Sequence, residues 1–292
     1  MRLLLHIGAT KTATSAVQHA LYKARAALKD AGILYSERGV ASWAHHLLFA
    51  ALDPNGLAAV HAHQLPSDRR AYFRETAAAI LADAMASRCD TVILSSEYLW
   101  GTFDEPLYME VSEAFSGVDI ELVCFVRDPG EWLMSYYLQE LKRGLDCDFA
   151  AWFEPMKSQL EKIGFDSCDV IDRWVMRLRP SRTRIAVYDA RRREDVLTAF
   201  CSNAGIAPPS GSGSPEVVNP SPDARGVALL LAVNRTDLPH ADKSDLRRCV
   251  LVAHSAKPGS HAVELGTEAR EWIAQRAARS KERLRSVFGV EL

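Results

Sequence analysis

The N-terminal segment places a short apolar run, a small-residue loop and a helical pattern directly one after another. Residues 2–8 form the apolar run, which ends at Gly8, and residues 15–31 repeat apolar side chains at helical spacing. The loop between them holds Lys11 among threonine and alanine residues. This order predicts a strand, a tight turn and a helix whose N-terminus presents backbone N–H groups to an anion. The segment therefore favours an α/β fold with an oxyanion cradle near its start.

Later segments repeat this succession of strand and helix. The apolar or β-branched runs predict strands at Asp90–Glu97, Ile120–Val126 and Arg184–Asp189. Helical patterns flank these strands at 69–87, 130–143 and Glu194–Asn203. Alternating strands and helices predict a three-layer α/β architecture, in which helices cover both faces of a central parallel sheet.

The chain is expected to form one domain, residues 1–292, with a helical C-terminal part. This length suits a single large α/β unit, and 48% hydrophobic with 25% charged residues is ordinary for a globular protein. Residues 207–222 are dense in proline, serine and glycine, which predicts a surface loop. We therefore expect a core at 1–206, then this loop, and then a helical extension at 223–292 with a helix near 264–285.

Charge and cysteine usage exclude several functional classes. A net charge of −2 and a pI near 6.5 provide no basic field that would attract nucleic acid. The six cysteines include no C-x-x-C pair, so neither a zinc ribbon nor a disulfide framework is expected. The sequence has no run of about 18 apolar residues, and its N-terminal run is too short for a signal peptide. We therefore expect a cytoplasmic protein without an integral membrane segment.

The position of Lys11 separates the N-terminal loop from the usual ATP-binding loop. A Walker A loop places lysine directly after its second glycine, whereas Lys11 follows Gly8 by only three positions. The chain also lacks a convincing apolar strand that ends in an aspartate for a metal ion. A nucleotide-dependent kinase of the P-loop class is therefore the weaker hypothesis. From this segment by itself, a threonine-rich helix cap with an exposed lysine is an equally good interpretation.

Two motifs together resemble a known enzyme family. Lys11–Ser15 has the sequence Lys-Thr-Ala-Thr-Ser, and Arg127-Asp-Pro opens a segment in which Ser135-Tyr-Tyr follows eight residues later. These motifs resemble those of sulfotransferases that use 3′-phosphoadenosine-5′-phosphosulfate (PAPS), whose donor loop is commonly Lys-x-Gly-Thr-[Thr/Ser]. Val187–Asp189 is similar to the Tyr-Glu pair that ends a later strand in this family. The resemblance spans residues 3–206 and looks greatest to bacterial members that act on carbohydrates or other polar metabolites.

The resemblance implies a P-loop nucleoside-triphosphate-hydrolase-like sulfotransferase fold, with PAPS as donor, adenosine 3′,5′-bisphosphate as product and no required metal ion. Lys11 is implied to neutralise charge on the phosphosulfate group. The residues implied to bind that group through backbone N–H groups and hydroxyls are Thr12, Ala13, Thr14 and Ser15. Ala13 departs from the glycine that the family usually has at this position.

A second set of residues is implied to bind the 3′-phosphate of the donor. It consists of Arg127, Ser135 and Tyr188, and a guanidinium group suits a phosphate because it donates a fork of hydrogen bonds. For Arg127, the alternative is a structural ion pair with Asp128 or with a residue of the following helix. For Tyr188, the alternative is packing in the core.

An acceptor hydroxyl needs a general base, and two candidates arise. Glu97 ends a predicted strand, and useful groups gather at the carboxyl ends of parallel strands. It also lies one strand before the Arg127 motif, where cytosolic members of the family carry a catalytic histidine, so we predict Glu97 as the base. His45 and His46 are the rival, because a histidine in an exposed loop titrates near neutral pH. His6, inside the first strand, is expected to be a packing residue.

The acceptor is expected to be a hydroxyl of a carbohydrate or of a small polar metabolite. Its identity should depend on loops such as 36–70, 144–165 and 207–222. A noncatalytic nucleotide-binding relative is a further alternative, since Ala13 replaces the usual glycine. The sequence does not indicate an oligomeric state.

Overall fold

The computed structural model describes residues 1–53, 56–101, 103–160, 162–189, 196–209, 221–255 and 263–292. Within these ranges one sheet is formed by strands β1 (Arg2–His6), β2 (Ile33–Tyr35), β3 (Thr91–Ser95), β4 (Asp119–Val126) and β5 (Arg182–Val187). Their order across the sheet is β2-β3-β1-β4-β5, and every neighbouring pair is parallel. The predicted α/β class with a central parallel sheet is confirmed.

The central strand β1 is covered on both of its faces. It pairs with β3 on one side and with β4 on the other, so that Leu4 aligns with Ile93 and with Glu121. Successive side chains of a strand point to opposite faces, so Leu4 faces one side of the sheet while Leu3 and Leu5 face the other. All three leucines have no exposed surface. This two-sided burial explains why β1 has three leucines in succession instead of an alternation of apolar and polar residues.

Helices connect and cover the strands. In chain order they are α1 (Thr14–Lys23), α2 (Arg25–Asp30), α3 (His46–Ala50), α4 (Arg69–Ala86), α5 (Glu105–Ala114), α6 (Pro129–Arg143), α7 (Phe149–Leu160), α8 (Ser167–Leu178), α9 (Val196–Ala204), α10 (Ala224–Asn234), α11 (His240–Ala253) and α12 (Thr267–Phe288). Short 3-10 helices lie at Gly56–Gln64 and Glu97–Leu99.

Two expectations about these elements are wrong. The helix predicted over 15–31 is divided into α1 and α2, because the backbone of Ala24 leaves the helical region with φ −83° and ψ 3°. The segment 144–165, which we expected to be a loop, consists largely of α7. Phe149 and Phe153 of this helix are buried in an aromatic cluster, so tertiary packing stabilises a helix that the sequence pattern did not indicate.

The described residues divide into two compact units. The first contains the sheet and comprises Met1–Val126, Ser167–Tyr188 and Glu194–Glu216. On one face of this sheet, α1 and α9 pack against the strands. Residues of this cluster include Leu4, Ile93 and Val123 from the strands, Val17 and Leu21 from α1, and Leu197 and Phe200 from α9.

The second unit comprises Arg127–Asp166, Asp189–Arg193 and Val217–Leu292, and the helices α6, α7, α10, α11 and α12 lie in it. Its core is rich in aromatic side chains, among them Trp132, Tyr137, Phe149, Trp152 and Phe153.

Both ends of α6 are stabilised by side chains of this unit. Asp128 accepts from the N–H groups of Gly130 and Glu131, and the Asn234 amide donates to the carbonyls of Leu141 and Leu145.

The C-terminal part of the chain is helical, as predicted. Helices α10, α11 and α12 occupy most of residues 224–288. Of the loop predicted over 207–222, residues 210–220 lie outside the described ranges. Among the helices that the structure describes, none is long and apolar enough to cross a membrane. That the chain forms a single domain stays a prediction.

Candidate functional site

The carboxyl end of β1 lies where the connections between the strands of the sheet reverse direction. From β1 the chain leads to β2 on one side of the sheet, whereas from β4 it leads to β5 on the other side. In open α/β sheets, ligands bind at the carboxyl ends of the strands where the direction of connection reverses in this way. The reversal falls between β1 and β4, and the loop 7–13 leaves β1 at that point.

This loop is tightly turned and internally hydrogen-bonded. Gly8, Lys11 and Ala13 have positive φ angles of 51°, 69° and 59°. The hydroxyls of Thr12 and Thr14 both donate to the carbonyl of Ala9, at 2.7 and 2.8 Å. Alternation of left-handed and right-handed residues turns successive N–H groups toward one side, which is the geometry of backbone anion sites. The loop is therefore shaped in advance by its own backbone and side chains.

The hydroxyls of Thr12 and Thr14 are buried and donate to the carbonyl of Ala9, so they stabilise the loop in this structure. That these hydroxyls also bind the donor stays a prediction. Ser15 is exposed in the first turn of α1, where the helix leaves its first N–H groups without intrahelical partners. The first turn of α1 has no acidic residue, which keeps the cradle suited to an anion.

Gly8 brings Glu97 close to the cradle. A Cβ atom on Gly8 would lie 2.9 Å from Cγ2 of Thr14 and 3.3 Å from Cα of Glu97, too close for any side chain at position 8. The absence of a side chain at Gly8 thus lets the backbone of Glu97 approach the start of the cradle. Glu97 begins the 3-10 helix that follows β3, and its side chain is half-buried. The strand end and the cradle therefore meet at one edge of the sheet.

Ala13 has a backbone conformation that glycine adopts with less strain. It precedes α1 in the left-handed conformation, with φ 59° and ψ 21°, and a residue with a Cβ pays about 1–2 kcal/mol for that conformation. Replacing Ala13 by glycine removes this strain but adds some entropy to the unfolded chain. We expect Ala13→Gly to stabilise the protein by about 0.5–1 kcal/mol in urea denaturation.

The control for this substitution is Ala20→Gly, which lies inside α1. There the same chemical change is expected to destabilise the protein by about 1 kcal/mol, because glycine disfavours a helix interior. Equal destabilisation by both substitutions would contradict the strain assigned to Ala13.

His45 is a structural residue, which corrects its prediction as an exposed base. Its ring is completely buried, and Nδ1 accepts a hydrogen bond from the backbone N–H of Ser95 at 3.1 Å. The backbone N–H of His45 in turn donates to the carbonyl of Ser95 at 2.9 Å. Burial lowers the pKa of His45 to about 3, so the ring is neutral at physiological pH. His45 thus holds the segment after β2 against the end of β3.

His46 is also buried, and the reason for proposing it as a base is wrong. Its Nδ1 lies 2.9 Å from the hydroxyl of Ser96, and its ring stacks on Tyr98 with 4.2 Å between the ring centres. Burial, followed by the nearby charge of His61, lowers the pKa of His46 to about 4. Such an imidazole is a weak base at neutral pH.

Tyr98, the ring on which His46 stacks, has a raised pKa. Burial, followed by the charge of Glu97, raises the pKa of Tyr98 to about 12.

His6 lies in the core of the sheet unit, as expected. Its Nδ1 is 2.7 Å from the hydroxyl of Ser95, which also accepts from the side-chain amide of Gln18. Burial lowers the pKa of His6 to about 3. Ser95 therefore ties β3 to β1, to α1 and to His45, a role that no sequence motif indicated. The only signal in the sequence was the pair of serines directly after an apolar run.

Tyr188 follows β5 in the sheet unit and continues its pairing. Its backbone N–H donates to the carbonyl of Val126 at 2.7 Å, and its partly buried side chain packs against the cluster around α1 and α9. This contact agrees with the packing alternative for Tyr188. Its role in binding the 3′-phosphate stays a prediction.

Arg127 and Ser135 belong to the helical unit. The guanidinium Nε of Arg127 donates to the carboxylate of Glu131 at 3.3 Å, and the Arg127 side chain is 14% exposed. Asp128 caps α6 and accepts from the ammonium group of Lys281 at 3.0 Å. Ser135 is half-buried on α6, one helical turn beyond Glu131. Glu131 therefore orients the guanidinium group at the start of this helix.

No group of three histidine, cysteine or acidic side chains that could hold a metal ion occurs in the part of the chain that the structure describes. Comparison with protein-family models, with curated proteins and with solved structures gave no match.

Proposed function

We propose that this protein is a sulfotransferase that moves a sulfuryl group from PAPS to an acceptor hydroxyl. The observation that supports this most is the cradle of residues 8–15, which contains Lys11, starts α1 and lies against the backbone of Glu97 at the reversal point of the sheet. A helix N-terminus with an added lysine suits an anionic donor group. A carboxylate at the same edge suits an acceptor proton.

The proposed reaction divides its tasks between these groups. The acceptor oxygen attacks the sulfur atom, and its proton passes to the carboxylate of Glu97. The bond between sulfur and the 5′-phosphate oxygen breaks, so that the sulfated acceptor and adenosine 3′,5′-bisphosphate are the products. Lys11 and the N–H groups of the cradle stabilise the negative charge that grows on the leaving phosphate. No covalent intermediate with the protein is needed.

Arg127 and Ser135 are the proposed ligands of the 3′-phosphate. Arg127 follows Val126, the last residue of β4, and its guanidinium group is oriented by Glu131. A planar guanidinium group can donate two parallel hydrogen bonds to a phosphate, and the Ser135 hydroxyl supplies another donor. These contacts would distinguish PAPS from donors without a 3′-phosphate.

Calorimetry with adenosine 3′,5′-bisphosphate tests the proposal. We expect the unmodified protein to bind the bisphosphate, and Lys11→Met and Arg127→Ala each to weaken binding at least about tenfold, since each removes a charged hydrogen bond. Arg143→Ala, which removes an exposed arginine at the far end of α6, is the matched control and should leave binding unchanged.

Three outcomes would contradict the proposal. They are an absence of bisphosphate binding at millimolar concentration, binding that Arg127→Ala leaves unchanged, and tighter binding of ATP with Mg²⁺, which would support a kinase. A noncatalytic relative is distinguished by mass spectrometry. It would bind the bisphosphate and yet form no sulfated product from PAPS with a broad panel of hydroxyl acceptors.

A further inference from the structure

The chain makes a strained two-residue turn at Ser42 and Trp43. The residues on either side of this turn exchange both backbone hydrogen bonds, from Ala41 N–H to the Ala44 carbonyl at 2.8 Å and in the reverse direction at 3.1 Å. Ser42 and Trp43 have φ angles of 50° and 70°. Positive φ at both central residues is the requirement of a type I′ turn, where asparagine and glycine are preferred. Tryptophan is a poor residue for the second position of such a turn.

Several contacts hold this conformation in place. The hydroxyl of the buried Tyr35 donates to the carbonyl of Trp43 at 2.8 Å, and the residues that follow the turn, Ala44–His46, are buried. A bulky residue at positive φ is strained, and such strain collects at binding and catalytic sites when the surroundings fix it. The strain at Trp43 therefore points to a use for its side chain.

The side chain of Trp43 is presented to solvent beside the cradle helix. It is 43% exposed, although most large aromatic side chains of this chain are buried. Its ring lies against the imidazole of His19 on α1, with 4.4 Å between ring centres and 45° between planes. His19 lies one turn after the exposed Ser15, which places this pair of rings about 6 Å along the axis of α1 from the cradle.

We propose that Trp43, supported by His19, is the binding platform for a sugar ring of the acceptor, an inference that rests on the proposed function. One C–H face of a pyranose ring stacks on an indole, while the hydroxyls at the rim of the sugar remain in contact with water or polar groups. The exposed indole of Trp43 fits such an amphipathic ligand. A wholly aromatic acceptor would instead require an enclosed apolar pocket. The distance of one helical turn suits a ring whose hydroxyl reaches the cradle.

The test uses a substitution that the turn should tolerate. Trp43→Gly removes the ring but supplies the residue that a type I′ turn prefers, so the melting temperature should equal or exceed that of the unmodified protein. Ser42→Gly is the matched control, because it relaxes the neighbouring position and keeps the ring. Saturation-transfer NMR would be recorded with cellobiose, lactose, maltose, chitobiose and trehalose, each with and without adenosine 3′,5′-bisphosphate.

We expect at least one disaccharide to bind the unmodified protein and Ser42→Gly, and to bind Trp43→Gly about tenfold more weakly. Bisphosphate binding, measured by calorimetry, should be the same in all three proteins. If the unmodified protein does not bind the bisphosphate, the proposed function fails, and this result is distinct from a failure of the role assigned to Trp43. Absence of any disaccharide signal, a signal that Trp43→Gly leaves unchanged, or a lower melting temperature for Trp43→Gly would each overturn the inference. Ring-dependent binding of p-nitrophenol without binding of any sugar would overturn the assigned ligand class.

Discussion

Replacing Glu97 by glutamine is expected to lower the turnover of PAPS with a hydroxyl acceptor by about 10²–10⁴-fold, the usual contribution of a general base. The amide has nearly the shape of the carboxylate but cannot accept the acceptor proton. Glu97 lies against Gly8 at the start of the cradle, so the loss should affect the chemical step. Bisphosphate binding, measured by calorimetry, should change little because Glu97 is not among the proposed donor ligands.

The rival base supplies the control for this prediction. His46→Ala removes a buried ring with a lowered pKa and should reduce turnover far less than Glu97→Gln. In the pH–rate profile of the unmodified enzyme, activity should fall on the acidic side as the base is protonated, and Glu97→Gln should lack that limb. Near-normal turnover of Glu97→Gln, or loss of the acidic limb in His46→Ala, would reject Glu97 as the base.

Acidification from pH 7 to pH 5 is expected to destabilise the fold by about 6 kcal/mol, from three buried histidines that contribute about 2 kcal/mol each. Burial lowers the pKa of His6 and His45 to about 3 and that of His46 to about 4, whereas an unfolded histidine has its pKa near 6.5. The unfolded chain therefore takes up protons that the folded chain excludes. Stability from these groups is fully present above pH 6.5 and is lost progressively as the pH falls toward 3.

Urea denaturation at pH 7, 6 and 5 measures this loss. His6→Gln removes one of the three titrating groups and should reduce the pH dependence by about a third. A free energy of unfolding that is constant between pH 5 and 7 would contradict the neutral, buried state of His6 and His45.

The strands were predictable because both faces of a parallel sheet are buried. The run Ile120–Val126 was expected as a strand and is found as Asp119–Val126, and Asp90–Glu97 is found as Thr91–Ser95. Strands buried on both faces are mostly apolar, so their pattern can be recognised without knowing their neighbours. By contrast, α7 was not expected, because its stability comes from aromatic contacts that form only in the folded unit.

The sequence by itself determined the α/β class, the position of the anion cradle and the unusual placement of Lys11, because these follow from local periodicity and spacing. Only the tertiary structure decided that β1 lies between β3 and β4. It also decided that the backbone of Glu97 approaches Gly8, and that the buried His45 accepts a hydrogen bond from the N–H of Ser95. It also decided that Trp43 stands beside His19. Each of these facts joins residues far apart in the chain, and long-range contacts leave no periodic trace in a single sequence.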